Sequence, residues 1–127
     1  MTREELKAFA ALSAETYKRE QLVQSLRNYY EKAGAGVGTD NAVVNDILDD
    51  ISELESQIEE LKARHSRMTP EFEKLISGVD AGRTSIRLHY LHGFSWSETG
   101  AAIGRTEHAA KKSAYRIIEK LFEGDAS

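Results

Sequence analysis

The sequence predicts an all-α fold in two parts, an N-terminal antiparallel helical hairpin (a coiled-coil arm) over residues 1–67 and a helix-turn-helix bundle over residues 68–127. Three observations predict it. The chain has a single proline, Pro70, and is rich in Glu, Lys, Leu and Ala, which favours helix over sheet. Val44, Ile47, Ile51, Leu54, Ile58 and Leu61 alternate three and four residues apart, a heptad seam of about three repeats. Glycines at 78, 82, 93, 100 and 104 then punctuate the second part, where tight turns between short helices need backbone freedom.

At 127 residues the chain holds one domain or two small helical units with a modest core, too little for a large catalytic architecture. No enzymatic activity and no cofactor are expected. The absence of cysteine excludes disulfides, thiolate metal sites and a thiol nucleophile, and it fits a reducing cytoplasm. No apolar run approaches the ~20 residues that span a bilayer. The opening MTREELKAF lacks the apolar centre of a secretory signal, so a cytoplasmic protein without membrane association is expected. The net charge of −4 is unevenly spread: residues 1–67 carry nine Lys/Arg against thirteen Asp/Glu, whereas Thr99–Lys120 carries five basic residues against two acidic ones.

Residues Thr2 to about Lys32 contain no Gly or Pro and read as one long helix, with Leu6, Phe9, Ala10, Tyr17, Leu22, Leu26 and Tyr29 near one face. The periodicity weakens over Ser13–Glu20. Ala33–Asp40, AGAGVGTD, ends this helix as a hairpin loop. It lacks the preceding strand and the Lys-Ser/Thr pair of a phosphate-binding loop. Thr39 or Asp40 caps the seam helix, which folds back on the first to give an arm roughly 40 Å long. A dimer between chains is the competing way to cover the seam. Asp46, Asp49, Asp50 and Glu53 read as a solvated outer face rather than a metal site. Thr69-Pro70-Glu71 has the form of a new helix start, with Thr69 as cap and proline at the first position. Phe72, Leu75 and Ile76 give that short helix its apolar face and Gly78 closes it. Asp80–His92 reads as a supporting helix carrying Ile86, Leu88, Tyr90 and Leu91.

A short helix, Ser97–Ile103, is capped by Ser95 or Ser97 and ended by Gly104 in a left-handed conformation. Ala101 and Ala102 are small where two helices must approach. Thr106 restarts the helix, and Ala110, Ala114, Ile117 and Leu121 form its buried stripe. Glu107, His108, Lys111, Lys112, Tyr115 and Arg116 remain outside. Together with Thr106 they are the candidate contacts to double-stranded DNA, base edges near the helix N-terminus and phosphates farther along. Glu107 can accept from cytosine N4 or simply complement the helix dipole. A charge run on a helix is usually only a solvated face, but here a glycine turn, small residues before it and a basic face after it agree. His89 and His92 lie three apart without a third ligand, so no metal site is assigned to them. Trp96 reads as a core residue rather than a base-stacking platform.

HYLHGFSWSETGAAIGRTEHAAKKSAYRIIEKL resembles region 4 of bacterial sigma factors, matching at Tyr90, Leu91, Gly93, Ser95, Glu98, Gly104, Thr106, Lys111, Arg116 and Leu121. The Ser95-Trp96-Ser97-Glu98 version is most similar to phage and prophage regulators of the ArpU and RinA type. Thr99, Gly100, Arg105 and Ser113 depart from the family form, and nothing resembles the core-polymerase-binding or promoter-melting parts of a sigma factor. The resemblance covers about the last 50 residues. It implies a sequence-specific DNA-binding transcriptional regulator of phage or prophage origin, with RNA polymerase as a further partner; the arm, outside the resemblance, is expected to form a homodimer or to contact another protein. Two other functions fit the same elements: a small terminase subunit that recognises DNA for packaging, and a protein-interaction module that docks on polymerase or a sigma factor.

Overall fold

The computed structural model describes residues 1–34 and 41–123, and the side chains of 1–32 and 44–123. Every regular element among them is helical, as the composition predicts. α1 (Arg3–Gly34) and α2 (Asn41–Leu75) are long. α3 (Arg83–Ile86) continues directly into a π-helical turn, Arg87–Leu91, and α4 (Trp96–Ile103) and α5 (Glu107–Leu121) follow. The glycine loop and the proposed caps Thr39 and Asp40 lie outside the described residues.

α1 and α2 pair in opposite directions. Phe9 stacks on His65, Arg19 donates to Gln57, Glu20 meets Lys62 and Arg27 meets Glu55. Val23, Ile47, Ile51 and Ile58 fill the seam between them, flanked by Leu26, Tyr30 and Leu54. Two expected α1 positions are corrected: Leu22 and Tyr29 face solvent, at 48% and 57% exposure, and Val23 and Tyr30 take the inward places. A shift of one residue turns a helix position by about 100°, enough to exchange the two faces.

The expected helix start at Thr69 is also corrected. α2 runs through Pro70 without interruption to Leu75. Thr69 is not a cap; its hydroxyl donates back to the His65 carbonyl at 2.8 Å. An interior proline opposes helix by roughly 3 kcal/mol. Here the helix continues because Phe72 and Ile76, in the turns after Pro70, are completely buried. Position 67/68 therefore falls within α2, and residues from both sides of it share one core. Leu6 and Phe9 of α1, Phe72 of α2 and Ile76 just after it, Ile86 of α3 and Tyr90 of the π turn, Trp96 of α4, and Ala114, Ile118 and Phe122 from α5 and its end belong to it.

The weak periodicity around Ser13 has a structural cause. Ser13 is a buried polar residue on α1 whose hydroxyl donates to the Tyr90 carbonyl at 2.6 Å, with the Phe9 carbonyl at 2.9 Å as a second acceptor. His65 Nε2 lies 3.1 Å from Ser13 Oγ and 3.0 Å from the Leu91 carbonyl, so a proton on that nitrogen serves both. This knot joins the two long helices to the end of the π turn, where the last carbonyls of a helix have no partner within it. Gly93 sits against the same place at φ 80°, where a Cβ would come within 2.2 Å of the Ser13 carbonyl oxygen. No helix among the described residues is long and apolar enough to cross a membrane.

Candidate nucleic-acid interface

α4 begins with a complete capping box. Ser95 Oγ accepts from the Glu98 amide and Glu98 accepts from the Ser95 amide, both at 3.0 Å. Of the two caps the sequence allows, Ser95 is the one used. Tyr17 of α1 donates to the other Glu98 oxygen at 2.8 Å, so the cap also tethers α4 to α1. The Ser95 amide and then the Tyr17 hydroxyl hold the Glu98 carboxyl below the usual carboxylate range, and the same bond raises the Tyr17 phenol.

The turn to α5 is three residues long. Gly104 closes α4 at φ 72° and Thr106 caps α5, its Oγ1 accepting from the Ala109 amide at 3.1 Å. Close approach falls on Gly100 rather than on Ala101 and Ala102, which are exposed. A Cβ on Gly100 would meet the Arg105 carbonyl oxygen at 2.7 Å and Thr106 at 3.0 Å. Only hydrogen fits there. Thr99, beside it, is fully buried, and its hydroxyl has no partner among the described residues.

On α5 the buried stripe is Ala110, Ala114 and Ile118, continued by Phe122, while Ile117 and Leu121 are only partly buried against the core. The expected stripe is therefore right at its two alanines and one residue early afterwards. Each four-residue step overshoots a turn by about 40°, so the buried face drifts round the helix from Ala110 to Phe122 instead of running straight along it.

Thr106, Glu107, His108, Lys111, Lys112, Tyr115 and Arg116 are all exposed, as the periodicity requires. His108, Lys111, Lys112, Tyr115 and Arg116 line one shallow depression of about 770 Å³, together with Glu119 and Lys120. Thr106 and Glu107 stand apart from it, at the helix start. Lys120 is an addition to the expected face, although its i+4 spacing from Arg116 places it there. Among the described residues, Lys111, Lys112, Arg116 and Lys120 form no ion pair, and the only α5 pair is Glu119 with Arg3, at 2.8 Å.

An aromatic ladder supports this face from below. His89 stacks on Trp96 with ring centroids 3.8 Å apart, Tyr115 meets Trp96 edge-on at 5.8 Å, and the Lys111 ammonium lies 5.7 Å from the Tyr115 ring centroid. Trp96 is thus a core residue. His89 Nδ1–H donates to the Phe94 carbonyl at 2.8 Å. Burial holds His89 below the ordinary histidine range against the pull of that carbonyl, and the nearby Lys111 charge adds to the effect. A neutral ring is what can stack under a cationic face without repulsion. His89 is spent in this stack rather than paired with His92, and no cluster of three or more metal-ligating side chains occurs among the described residues. Neither a family model, nor a curated protein, nor a solved structure matches this chain.

Proposed function

We propose that the chain is a sequence-specific DNA-binding transcriptional regulator, with α5 as the recognition helix entering the major groove. The observation that carries this reading is the row of four cations on α5 that no carboxylate neutralises among the described residues, on a helix fixed by its own cap, a tight turn and three buried positions. Exposed cations without internal partners are available to release counterions from a phosphate backbone. Lys111, Lys112 and Arg116 supply that term. Glu107 and His108, in the first turn, are placed for base edges, and Thr106 keeps its hydroxyl proton for a phosphate while its oxygen caps the helix. The resemblance to sigma-factor region 4 supports the same assignment and extends it to a regulator of phage or prophage origin that meets RNA polymerase.

Lys111→Ala/Lys112→Ala is expected to weaken binding to all duplexes and to reduce the slope of log K against log salt by roughly 2, about one for each phosphate left without its lysine. Glu107 or His108 replacements should instead change which sequences are selected from random DNA. A double-lysine variant that binds as tightly as the parent across the salt titration would show that this face is not the one used. No DNA affinity of the parent at low salt would favour a protein-interaction module.

A further inference from the structure

The arm carries a surface opposite in character to α5. Leu22, Leu26 and Leu54 floor a groove of about 370 Å³ on one side of the hairpin, and Asp50 and Glu53 form its rim. Tyr29, seven residues and two turns beyond Leu22, extends the same apolar strip. From Asp46 to Glu60 there are seven acids and no base. Of the arm cations, Arg19 is committed to Glu15, Arg27 to Glu55 and Lys62 to Glu20, whereas Lys18, Asp50 and Glu53 have no ion pair among the described residues. Exposed Leu22 and Tyr29, with partly buried Leu26 and Leu54 between them and acids on the rim, form a seat for a basic amphipathic helix.

We propose that the occupant is the outer face of α5 from a second copy of this chain. That face is complementary in both respects, since Lys111, Lys112 and Arg116 are unpaired among the described residues and surround Tyr115, which is 47% exposed. A chain's own α5 cannot reach the groove. α5 is bound at the start of α1 through Arg3–Glu119, whereas Leu22 lies 19 residues farther along a continuous helix, about 28 Å away. Packing arm on arm would instead bring the Asp50/Glu53 rims of both copies into one interface. In a twofold dimer each arm covers the partner's α5, so both contacts are made and the assembly closes rather than growing into a filament. The docking rests on shape and charge alone. Its consequence rests on the DNA-binding reading: the arm's carboxylates occupy the cations that phosphates would use, so the dimer and the DNA-bound chain exclude each other.

The test is the mass in solution of the full chain, by sedimentation velocity at low and high salt. The parent should be a dimer at low salt and dissociate as salt rises. Asp50→Lys/Glu53→Lys and Lys111→Glu/Lys112→Glu should each weaken association by at least about tenfold, and a chain carrying all four changes should regain the dimer. All four positions are exposed on helices, so circular dichroism should be unchanged in each. A short duplex added to the parent should dissociate it into DNA-bound monomers. A parent that is monomeric at low salt at every concentration overturns the docking, as does a dimer untouched by the arm changes or a four-fold variant that stays monomeric. A parent that dimerises in this pattern and binds no duplex supports the docking and overturns the DNA reading.

Discussion

The head (α3 to α5 with the start of α1 and the end of α2 that share its core) and the arm (the remainder of α1 and α2) are both built from helices, but they are held together in different ways. The head buries Phe9, Phe72, Phe122, Ile76 and Ile86 completely around a set of contacts that each occur once: the Ser13 knot, the Ser95–Glu98 box and the Gly100 approach. The arm repeats one pattern along a two-helix seam whose buried residues retain 5–8% exposure, and Arg19, Arg27 and Lys62 are paired with acids of the same two helices. Singular contacts fix a precise surface, whereas repetition yields length and a tolerant interface. The head can therefore hold four cations that are unpaired among the described residues on one helix, and the arm can present acids and exposed leucines with no such precision.

Core truncations should separate head from arm most strongly. Phe72→Ala should cost about 3–5 kcal/mol, because Phe72 packs on Phe9 with centroids 4.9 Å apart in a core without solvent access. Ile51→Ala in the seam should fall near the lower end of the large-to-small range, about 2 kcal/mol. Denaturant unfolding of both variants measures the difference, and an arm variant that costs as much as the head variant breaks the distinction. Ser13→Ala comes next, at about 1–3 kcal/mol, since it leaves the buried Tyr90 carbonyl without its hydroxyl donor. Ser13→Thr is the informative companion, because it keeps the hydroxyl and adds only a methyl group.

Ser95→Ala should have the smallest effect, about 1 kcal/mol from the lost cap. It should also carry a pH signature. The Glu98 carboxyl is depressed in the folded protein, so its contribution is present above the ordinary carboxylate range and is lost as pH falls through the lower, folded value. The parent should lose stability over that acidic window, and Glu98→Gln should flatten that limb of the stability curve. An unchanged acid limb in Glu98→Gln would mean that the tether through Tyr17 adds nothing to the fold.

The boundaries of α4 and α5 could be read from the sequence because local chemistry sets them: Ser95 and Thr106 accept from amides three residues on, and Gly104 takes a backbone most residues avoid. Local chemistry misleads at Thr69-Pro70. There the burial of Phe72 and Ile76 outweighs a helix-start signature, and no local pattern reveals what those side chains will meet. The stripe on α5 was legible only to within one residue, because Ile117 and Ile118, and likewise Leu121 and Phe122, are apolar neighbours that let two adjacent registers fit. Ser13 was legible only as a break in periodicity. Its partner, the Tyr90 carbonyl, lies 77 residues away. The cationic face was visible in its spacing, but the His89–Trp96 stack beneath it depends on a π turn that no sequence rule announces.

The passage of α2 through Pro70 has a mechanical consequence. A single continuous helix of 35 residues, about 52 Å long, runs from the arm into the core that seats α5. The direction in which the acidic groove points is therefore geared to the direction of α5. One residue inserted into α2 would rotate everything beyond it by about 100°, turning the groove away from whatever it faces while leaving the head intact. Only insertions of whole heptads, matched in α1, would lengthen the arm without changing its azimuth. The spacing between the two surfaces is thus quantised by the helix repeat.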